Sequence, residues 1–263
     1  MSSIALLGAS GSLGHAVADA LSQRSTSFRV VGRSEAALRG AFEKYPLASI
    51  APWDLDKPET IRMALTGVDT AIYMVGVNYW QFELHPQLMK KALDGAISAG
   101  LKKLLLIGTV YPYGLPQSEP VSEDHPRQPH TFKGRMRKEQ EDIVLAAHDS
   151  GRIQTAVLRL PDFYGPGVDK SFLWSAFQAA KTGKRAQLIG PYQYASRIRL
   201  CARRRRYYLS LDRRTAGMGQ GVEPGWRRSH INTRRGGRNL CPGRAQAEVH
   251  GCRKDGAAAL WAL

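Results

Sequence analysis

The chain has 263 residues, 43% hydrophobic and 23% charged, with a formal net charge of +16. That is apolar material enough for a sizeable core, and it excludes a disordered or collagen-like polymer. No apolar run reaches the about 20 residues of a membrane-spanning helix, and Ile4–Leu7 is too short and lacks the basic flank of a signal peptide, so a soluble, cytoplasmic protein is expected.

Ser3–Leu7 reads as a strand. It runs into Gly8-Ala9-Ser10-Gly11-Ser12-Leu13-Gly14, after which Ala16, Val17, Ala20 and Leu21 recur at helical spacing. Between a strand and a helix, Gly8 permits a tight turn, Gly11 lets the backbone approach a pyrophosphate, and Gly14 lets the helix pack closely on the sheet. The phosphate charge then meets the free N–H groups and positive dipole end of the helix starting near Ser12. A glycine-rich turn without a ligand is the plain alternative; the flanking strand and helix favour a dinucleotide.

Phe28–Val31 forms a second strand, ending at Gly32-Arg33-Ser34. An acidic residue there would grip the ribose hydroxyls of NAD, whereas an arginine pairs with the 2′-phosphate of NADP. Arg33 therefore favours NADP over NAD, against the alternative of a solvated surface charge. Strand and helix then alternate: Ala71–Val75 strand, Leu88–Ala99 helix, Lys103–Ile107 strand, Lys138–Ala147 helix, Thr155–Leu160 strand. This predicts an α/β fold with a doubly wound parallel sheet covered on both faces. Asn78–His85 carries Tyr79, Trp80 and Phe82, and reads either as one wall of a pocket for a small-molecule substrate or as packing against Leu88 and Met89. Pro112–Pro129, with five prolines, reads as a loop that leads toward the site. His125 and His130 within it lack partners at ligand spacing, so no metal is expected.

Together these motifs resemble the short-chain dehydrogenase/reductases, in their extended NAD-dependent epimerase/dehydratase branch, over about residues 3–190. The glycine loop is similar to that family's nucleotide loop, and Asp54-Leu55-Asp56 to its adenine-contacting segment. Val75-Gly76 sits where the family has a cofactor-lining turn. Gly108-Thr109-Val110-Tyr111 resembles its serine- or threonine-bearing strand end, and Arg159-Leu160-Pro161-Asp162-Phe163-Tyr164-Gly165-Pro166-Gly167 its Tyr-Gly-Pro-Gly stretch. The resemblance implies a Rossmann-like domain over residues 1–195 that binds NAD(P) through Gly8, Ser10, Gly11, Ser12, Leu13, Gly14, Arg33, Asp54, Leu55, Val75, Gly76 and Pro161. It also implies hydride transfer on a hydroxyl- or carbonyl-bearing small molecule, and a homodimer.

The departure is at the catalytic centre. The family places a tyrosine and, four residues later, a lysine on one helix face, so that the phenolate trades a proton with a substrate hydroxyl. Here Lys133 falls at the tyrosine position and Arg137 at the lysine position; a one-residue shift gives Gly134 and Lys138 instead. Three alternatives stand. Arg137 or Lys138 anchors the ribose while Lys133 or another group moves protons; Tyr111 or Tyr113 supplies the phenol from another direction; or the chain binds cofactor without turnover. Thr109, at the carboxyl end of a central strand, is the candidate to hydrogen-bond the reacting oxygen.

After Ser196 the alternation disappears. Residues 1–196 carry 22 Lys+Arg against 18 Asp+Glu, and residues 197–263 carry 16 against 4, with all three cysteines. One reading is an arginine-rich arm for nucleic acid phosphates, and another a zinc site from Cys241, His250 and Cys252, whose spacing matches no common pattern. The reading that explains most is a frameshift near Ala195. Suitable synonymous codons read one nucleotide later turn residues 196–206 into HEFVYVPDVD, which resembles the family's late strand. Residues 196–263 are then an irregular, disordered basic tail in place of the usual substrate lobe, nucleic acid is not an expected partner, and the chain is an impaired copy of an enzyme.

Overall fold

The computed structural model describes residues 3–118, 120–165, 167, 168, 171, 173–183, 185, 199, 200, 221 and 222. The described residues divide between two units, one holding those of Met1–Gly167 and Arg199–Pro224, the other those of Val168–Ile198.

In the first unit the elements run β1 (Ile4–Leu7), α1 (Ser12–Ser22), β2 (Phe28–Gly32), α2 (Glu35–Phe42), β3 (Ala48–Pro52), α3 (Pro58–Leu65), β4 (Thr70–Tyr73), α4 (Leu84–Ser98), β5 (Lys103–Thr109), a 3₁₀ turn (Tyr111–Tyr113), α5 (Phe132–Asp149), β6 (Gln154–Leu160) and β7 (Phe163–Tyr164). In the second unit α6 (Trp174–Thr182) is closed by Gly183 in the left-handed conformation, φ 66°. The first unit adds β8 (Arg199–Leu200) and β9 (Gly221–Val222).

The main sheet has the order β3-β2-β1-β4-β5-β6-β9, and every pairing is parallel. It is the expected doubly wound arrangement, with the order reversing between β1 and β4. Both faces are covered. Leu6, Val30, Ile72, Leu105 and Leu158 pack with Val17, Leu21, Leu38 and Phe42 of α1 and α2. The alternate strand residues Ala5, Leu7, Ala71, Leu104, Leu106 and Val157 pack with Ile61, Met89, Leu93 and Val144 of α3, α4 and α5. Burial on both sides is why these strands read as continuous apolar runs.

Five expectations are corrected. The helix read as Leu88–Ala99 runs over Leu84–Ser98, its first turn carrying the polar His85 and Gln87 and the Pro86 that a helix admits only near its start. The strand read as Ala71–Val75 ends at Tyr73; the Met74 N–H still donates to the Leu7 carbonyl at 2.8 Å, and Val75 then passes close to Gly8. The helix read as Lys138–Ala147 starts at Phe132, where the Thr131 hydroxyl accepts from the Gly134 N–H at 3.1 Å; a cap sets that start, and the polar first two turns hid it from apolar periodicity. Pro112–Pro129 is not featureless: Tyr111–Tyr113 forms a 3₁₀ turn, and Gly114 bridges to Gln128. Gly14 is needed against the Ala9 backbone rather than the sheet, since a Cβ there would stand 1.9 Å from the Ala9 carbonyl oxygen. The boundary near Ala195 and most of the basic tail lie outside the described residues. Within the tail, Arg199–Leu200 pairs with β7, and Gly221–Val222 pairs with Val157 and Leu158 of β6.

One buried ion pair ties α5 to β6. Glu141 and Arg159 have side chains 1% and 2% exposed, and Arg159 Nε and Nη2 donate to the Glu141 carboxylate at 2.8–3.1 Å. Burial works against the Arg159 charge, but the hydrogen bonds and charge of Glu141 outweigh it and hold the guanidinium above its ordinary value. Arg127 Nη1 adds a third donor at 3.2 Å, and Arg159 Nη1 donates to the Tyr113 hydroxyl at 3.0 Å. Removing one member leaves its partner charged and dry. Glu141→Ala is therefore expected to lose about 3–5 kcal/mol of stability, more than the paired Glu141→Leu/Arg159→Met variant loses, in urea denaturation of both.

Candidate functional site

The site is built on the carboxyl ends of the parallel strands. At the end of β1, Gly8 has φ +75°, and a Cβ on it would stand 2.7 Å from the Val75 Cα. Only glycine allows this close approach of the two chains leaving β1 and β4. Gly11 is the N-cap of α1 and has the opposite surroundings: nothing lies within 4 Å of where its Cβ would be. No side chain caps α1 and its first turn holds no acidic residue, so the first-turn amides of Ser12, Leu13 and Gly14 and the positive end of the helix face outward. Ser10 is exposed beside them, while Leu13 packs partly into the core. An open cradle of this kind fits a dinucleotide pyrophosphate.

Arg33, just after β2, is exposed and forms none of the ion pairs among the described residues. Its neighbour Ser34 caps α2 by accepting from the Ala37 N–H at 3.3 Å, and Glu35 is held by Arg39. Among the described residues no carboxylate therefore pairs with Arg33. Asp54 accepts from the Asp56 N–H at 3.0 Å and lies 3.6 Å from Lys57, which fixes the turn after β3; Leu55 packs partly against the core. Gly76 is exposed with open space above it.

Further along the sheet edge, Thr109 ends β5 in register with Leu160 of β6, and its hydroxyl accepts from the Tyr111 N–H at 3.4 Å. Tyr111 is half-buried and its ring stacks on Phe82, centroids 6.5 Å apart. Burial, then the charge of Asp162 and the hydroxyl of Tyr79, push its phenol upward. Tyr111 therefore keeps its proton at neutral pH, the opposite of what a phenolate base requires. Tyr113 is buried and bonded to Arg159, which withdraws it from the same role. Pro161 and Asp162 follow β6.

The two residues at the altered positions of α5 are separated in function by their contacts. Lys133 Nζ sits 3.0 Å from the centroid of the Tyr79 ring and 5.3 Å from that of Phe82, a cation–π arrangement at the mouth of the site. Arg137 Nη1 donates to Gln140 Oε1 at 2.7 Å and to His85 Nδ1 at 3.1 Å. Its Nε is buried without a hydrogen-bond partner among the described residues, as are the Tyr73 hydroxyl and Gln140 Nε2. Burial pulls the Arg137 guanidinium below its usual range, with Glu141, Tyr73 and Tyr111 opposing. In the shifted register, Lys138 pairs with Asp142 at 2.7 Å, and Gly134 carries no side chain. Of the aromatic stretch, Phe82 is buried and packs edge-on against Tyr79 and His85, while Tyr79 and Trp80 are exposed. His125 is buried in the loop, its Nε2 accepting from the Gln117 N–H at 2.9 Å. No helix among the described residues is long and apolar enough to cross a membrane.

Sequence reasoning passed over His85 and Asp162. His85 had no motif to flag it, and Asp162 stood inside a quoted motif without a role.

Sheet order, glycine-lined helix entrance and the crevice at the β1/β4 reversal define a Rossmann-like α/β protein. The chain belongs to the NAD dependent epimerase/dehydratase family, whose model matches residues 4–199. A curated relative, dTDP-6-deoxy-L-talose 4-dehydrogenase (NAD(P)(+)) of Kitasatospora kifunensis, is 26% identical over 188 residues, 70% of this chain and 59% of the relative. The chain thus spans less than two thirds of that relative's length. Among solved structures, UDP-glucuronic acid 4-epimerase from Bacillus cereus, in complex with UDP-glucuronic acid and NAD, superposes with a TM-score of 0.73 at 17% identity, covering 85% of this chain and 77% of that one. DesIV, a dTDP-glucose 4,6-dehydratase from Streptomyces venezuelae with NAD bound, gives 0.74 at 16% identity, over 84% and 74%. At these identities the structures share the fold.

His85 supplies a pH test of the site's interior. Burial, and next the Arg137 charge, push its imidazole down from 6.5 to about 3. As pH falls the unfolded chain takes up this proton first, so the stability tied to neutral His85 is complete above 6.5 and is lost as pH falls toward 3. His85→Gln, which keeps an acceptor for Arg137, is expected to flatten the acid loss of stability across that window in urea melts at stepped pH.

Proposed function

We propose that this chain is an NAD(P)-dependent enzyme that acts on a hydroxyl- or carbonyl-bearing small molecule, with NADP preferred over NAD. The observation that carries the reading is the cradle at Gly11, open above the backbone at the head of an uncapped helix. In this reading the amides of Ser12, Leu13 and Gly14 hold the pyrophosphate, with Ser10 and Gly76 beside it and Gly8 and Val75 forming the floor. Arg33 pairs with the 2′-phosphate, Asp54 and Leu55 border the adenine, and Pro161 lines the opposite wall. When bound, the dinucleotide supplies a hydride donor or acceptor.

The chain's own residues supply the rest. The Thr109 hydroxyl, receiving one long hydrogen bond among the described residues, is available to donate to the reacting oxygen. Arg137 takes the lysine's ribose-anchoring position, its Nη1 held by Gln140 and His85. Lys133, over the Tyr79 ring, contributes positive charge at the mouth. The curated relative's name makes a dTDP-deoxysugar the first substrate to try.

Calorimetry checks the cofactor reading. Gly11→Val is expected to abolish NADPH binding, and Arg33→Asp to weaken NADPH by about tenfold or more with NADH little changed, the worth of one charge-assisted contact. Equal affinity of wild type and Gly11→Val overturns it.

A second reading concerns the carboxyl-terminal third. The family match stops at residue 199, close to Ala195, where charge and periodicity change. This supports a frameshift that replaced the natural substrate lobe. Sequencing the encoding DNA across codon 195 in independent isolates is expected to show a frame break there; the present reading frame running unbroken through all of them rejects it.

A further inference from the structure

The residues at the family's tyrosine and lysine positions leave proton exchange unassigned. The Lys133 ammonium is engaged by the Tyr79 ring. Tyr111 holds its proton, and Tyr113 is bonded to Arg159. A group that exchanges protons with a substrate hydroxyl has to reach the space beside Thr109, meet solvent, and be free of a fixed ion pair.

Asp162 satisfies all three conditions. Leu160 of β6 is in register with Thr109 of β5, and the Val110 N–H donates to the Leu160 carbonyl at 3.2 Å. Asp162 comes two residues later, so it leaves the sheet next to the Thr109 strand end. Its charge acts on the Tyr111 phenol, which brings carboxylate and phenol to the same space. The segment then returns toward α1, where a Cβ on Gly167 would lie 3.7 Å from the Ser12 Cβ. Asp162 is thus carried on a stretch that spans from the reacting-oxygen side to the helix entrance. Its side chain is exposed, and among the described residues it makes no hydrogen bond and no ion pair. The other groups acting on Tyr111 are Tyr79 and Arg137, with Lys133 stacked on Tyr79, so Asp162 is the single carboxylate of this cluster.

We propose that Asp162 is a catalytic residue that takes the place of the missing tyrosine, exchanging a proton with the substrate hydroxyl while Thr109 and Tyr111 donate hydrogen bonds to the same oxygen. This assignment rests on the dinucleotide-dependent reading above. In the step, the substrate O–H bond breaks, an O–H bond forms on the Asp162 carboxylate, and the electron pair stays on the substrate oxygen; the reverse step returns the proton. Although the residue keeps contact with solvent, partial desolvation by the surrounding chain raises the Asp162 carboxyl above its ordinary value.

The test uses the full chain as wild type, Asp162→Asn and Asp162→Glu. Infrared difference titration of wild type against Asp162→Asn, with and without NADPH, is expected to show a protonated carboxyl persisting above the ordinary value of about 3.9. Ultraviolet titration is expected to show the Tyr111 midpoint falling in Asp162→Asn, because a neighbouring negative charge is gone. With dTDP-6-deoxy-L-talose and NADP as probe, Asp162→Asn is expected to lose about 100-fold or more in turnover with NADPH affinity unchanged, while Asp162→Glu keeps the acid limb of the pH profile. A carboxyl that titrates as an ordinary aspartate, or Asp162→Asn turnover within about twofold of wild type against the loss of a general base, overturns the proposal. A wild type that binds NADPH but leaves the probe unchanged moves the decision to the infrared titration alone. Failure of wild type to bind NADPH overturns the underlying reading instead.

Discussion

The contact on which the rest of this structure depends is the bidentate pair between Glu141 and Arg159. Two opposite charges are held dry between α5 and β6, and each is tolerable only because the other is present. The pair fixes the pitch of the helix that carries Lys133 and Arg137 against the strand that leads to Asp162. It also recruits Tyr113 and Arg127, so the turn after β5 and the long loop are anchored by the same guanidinium and carboxylate. Gly108 belongs to this arrangement, since a Cβ there would stand 3.1 Å from Glu141 Oε1 and 3.2 Å from Val157 Cγ1. A site whose residues come from four different segments thereby keeps one geometry.

The opposite half of the crevice is shaped by backbone rather than by charge. Gly8 is pressed to Val75 while Gly11, three residues on, faces open space. One glycine closes the floor and the other leaves room above it. The reversal of strand order between β1 and β4 puts this pair where neither crossover helix covers the strand ends. The family assignment and the fold therefore rest on the same few residues, those at which a side chain would be a steric fault.

The half of the site made of local signals was legible in the sequence. Gly8, Gly11 and Gly14 sit between a strand and a helix adjacent in the chain, and β1, β2, β4, β5 and β6 are buried along most of their length, so their apolar runs stand out. What was not legible depends on approach through space. The start of α5 rests on a single Thr131 cap, its first turns being polar. Gly14 was assigned to the sheet although its tight neighbour is the Ala9 carbonyl, five residues back. His85 gains meaning only through Arg137, 52 positions away, and Glu141 only through Arg159, 18 positions away. Asp162 drew no attention because its environment, set by Tyr111 and the crowding around β6, has no signature in a linear pattern.

The Gly114–Gln128 bridge has a consequence for how such a protein diversifies. Gly114, at φ +71°, brings the two stems of the loop together, where a Cβ would sit 2.1 Å from the Gln128 carbonyl oxygen, and the Gln117 and Gln128 side chains bond at 2.8 Å. With its stems clasped, the loop behaves as a nearly closed ring whose interior length is weakly constrained: doubling it costs only about 0.6 kcal/mol in closure entropy. Insertions between Leu115 and Arg127 can accumulate there while the strands and helices keep their places. Lineages can thus vary what meets an incoming molecule without renegotiating the architecture beneath.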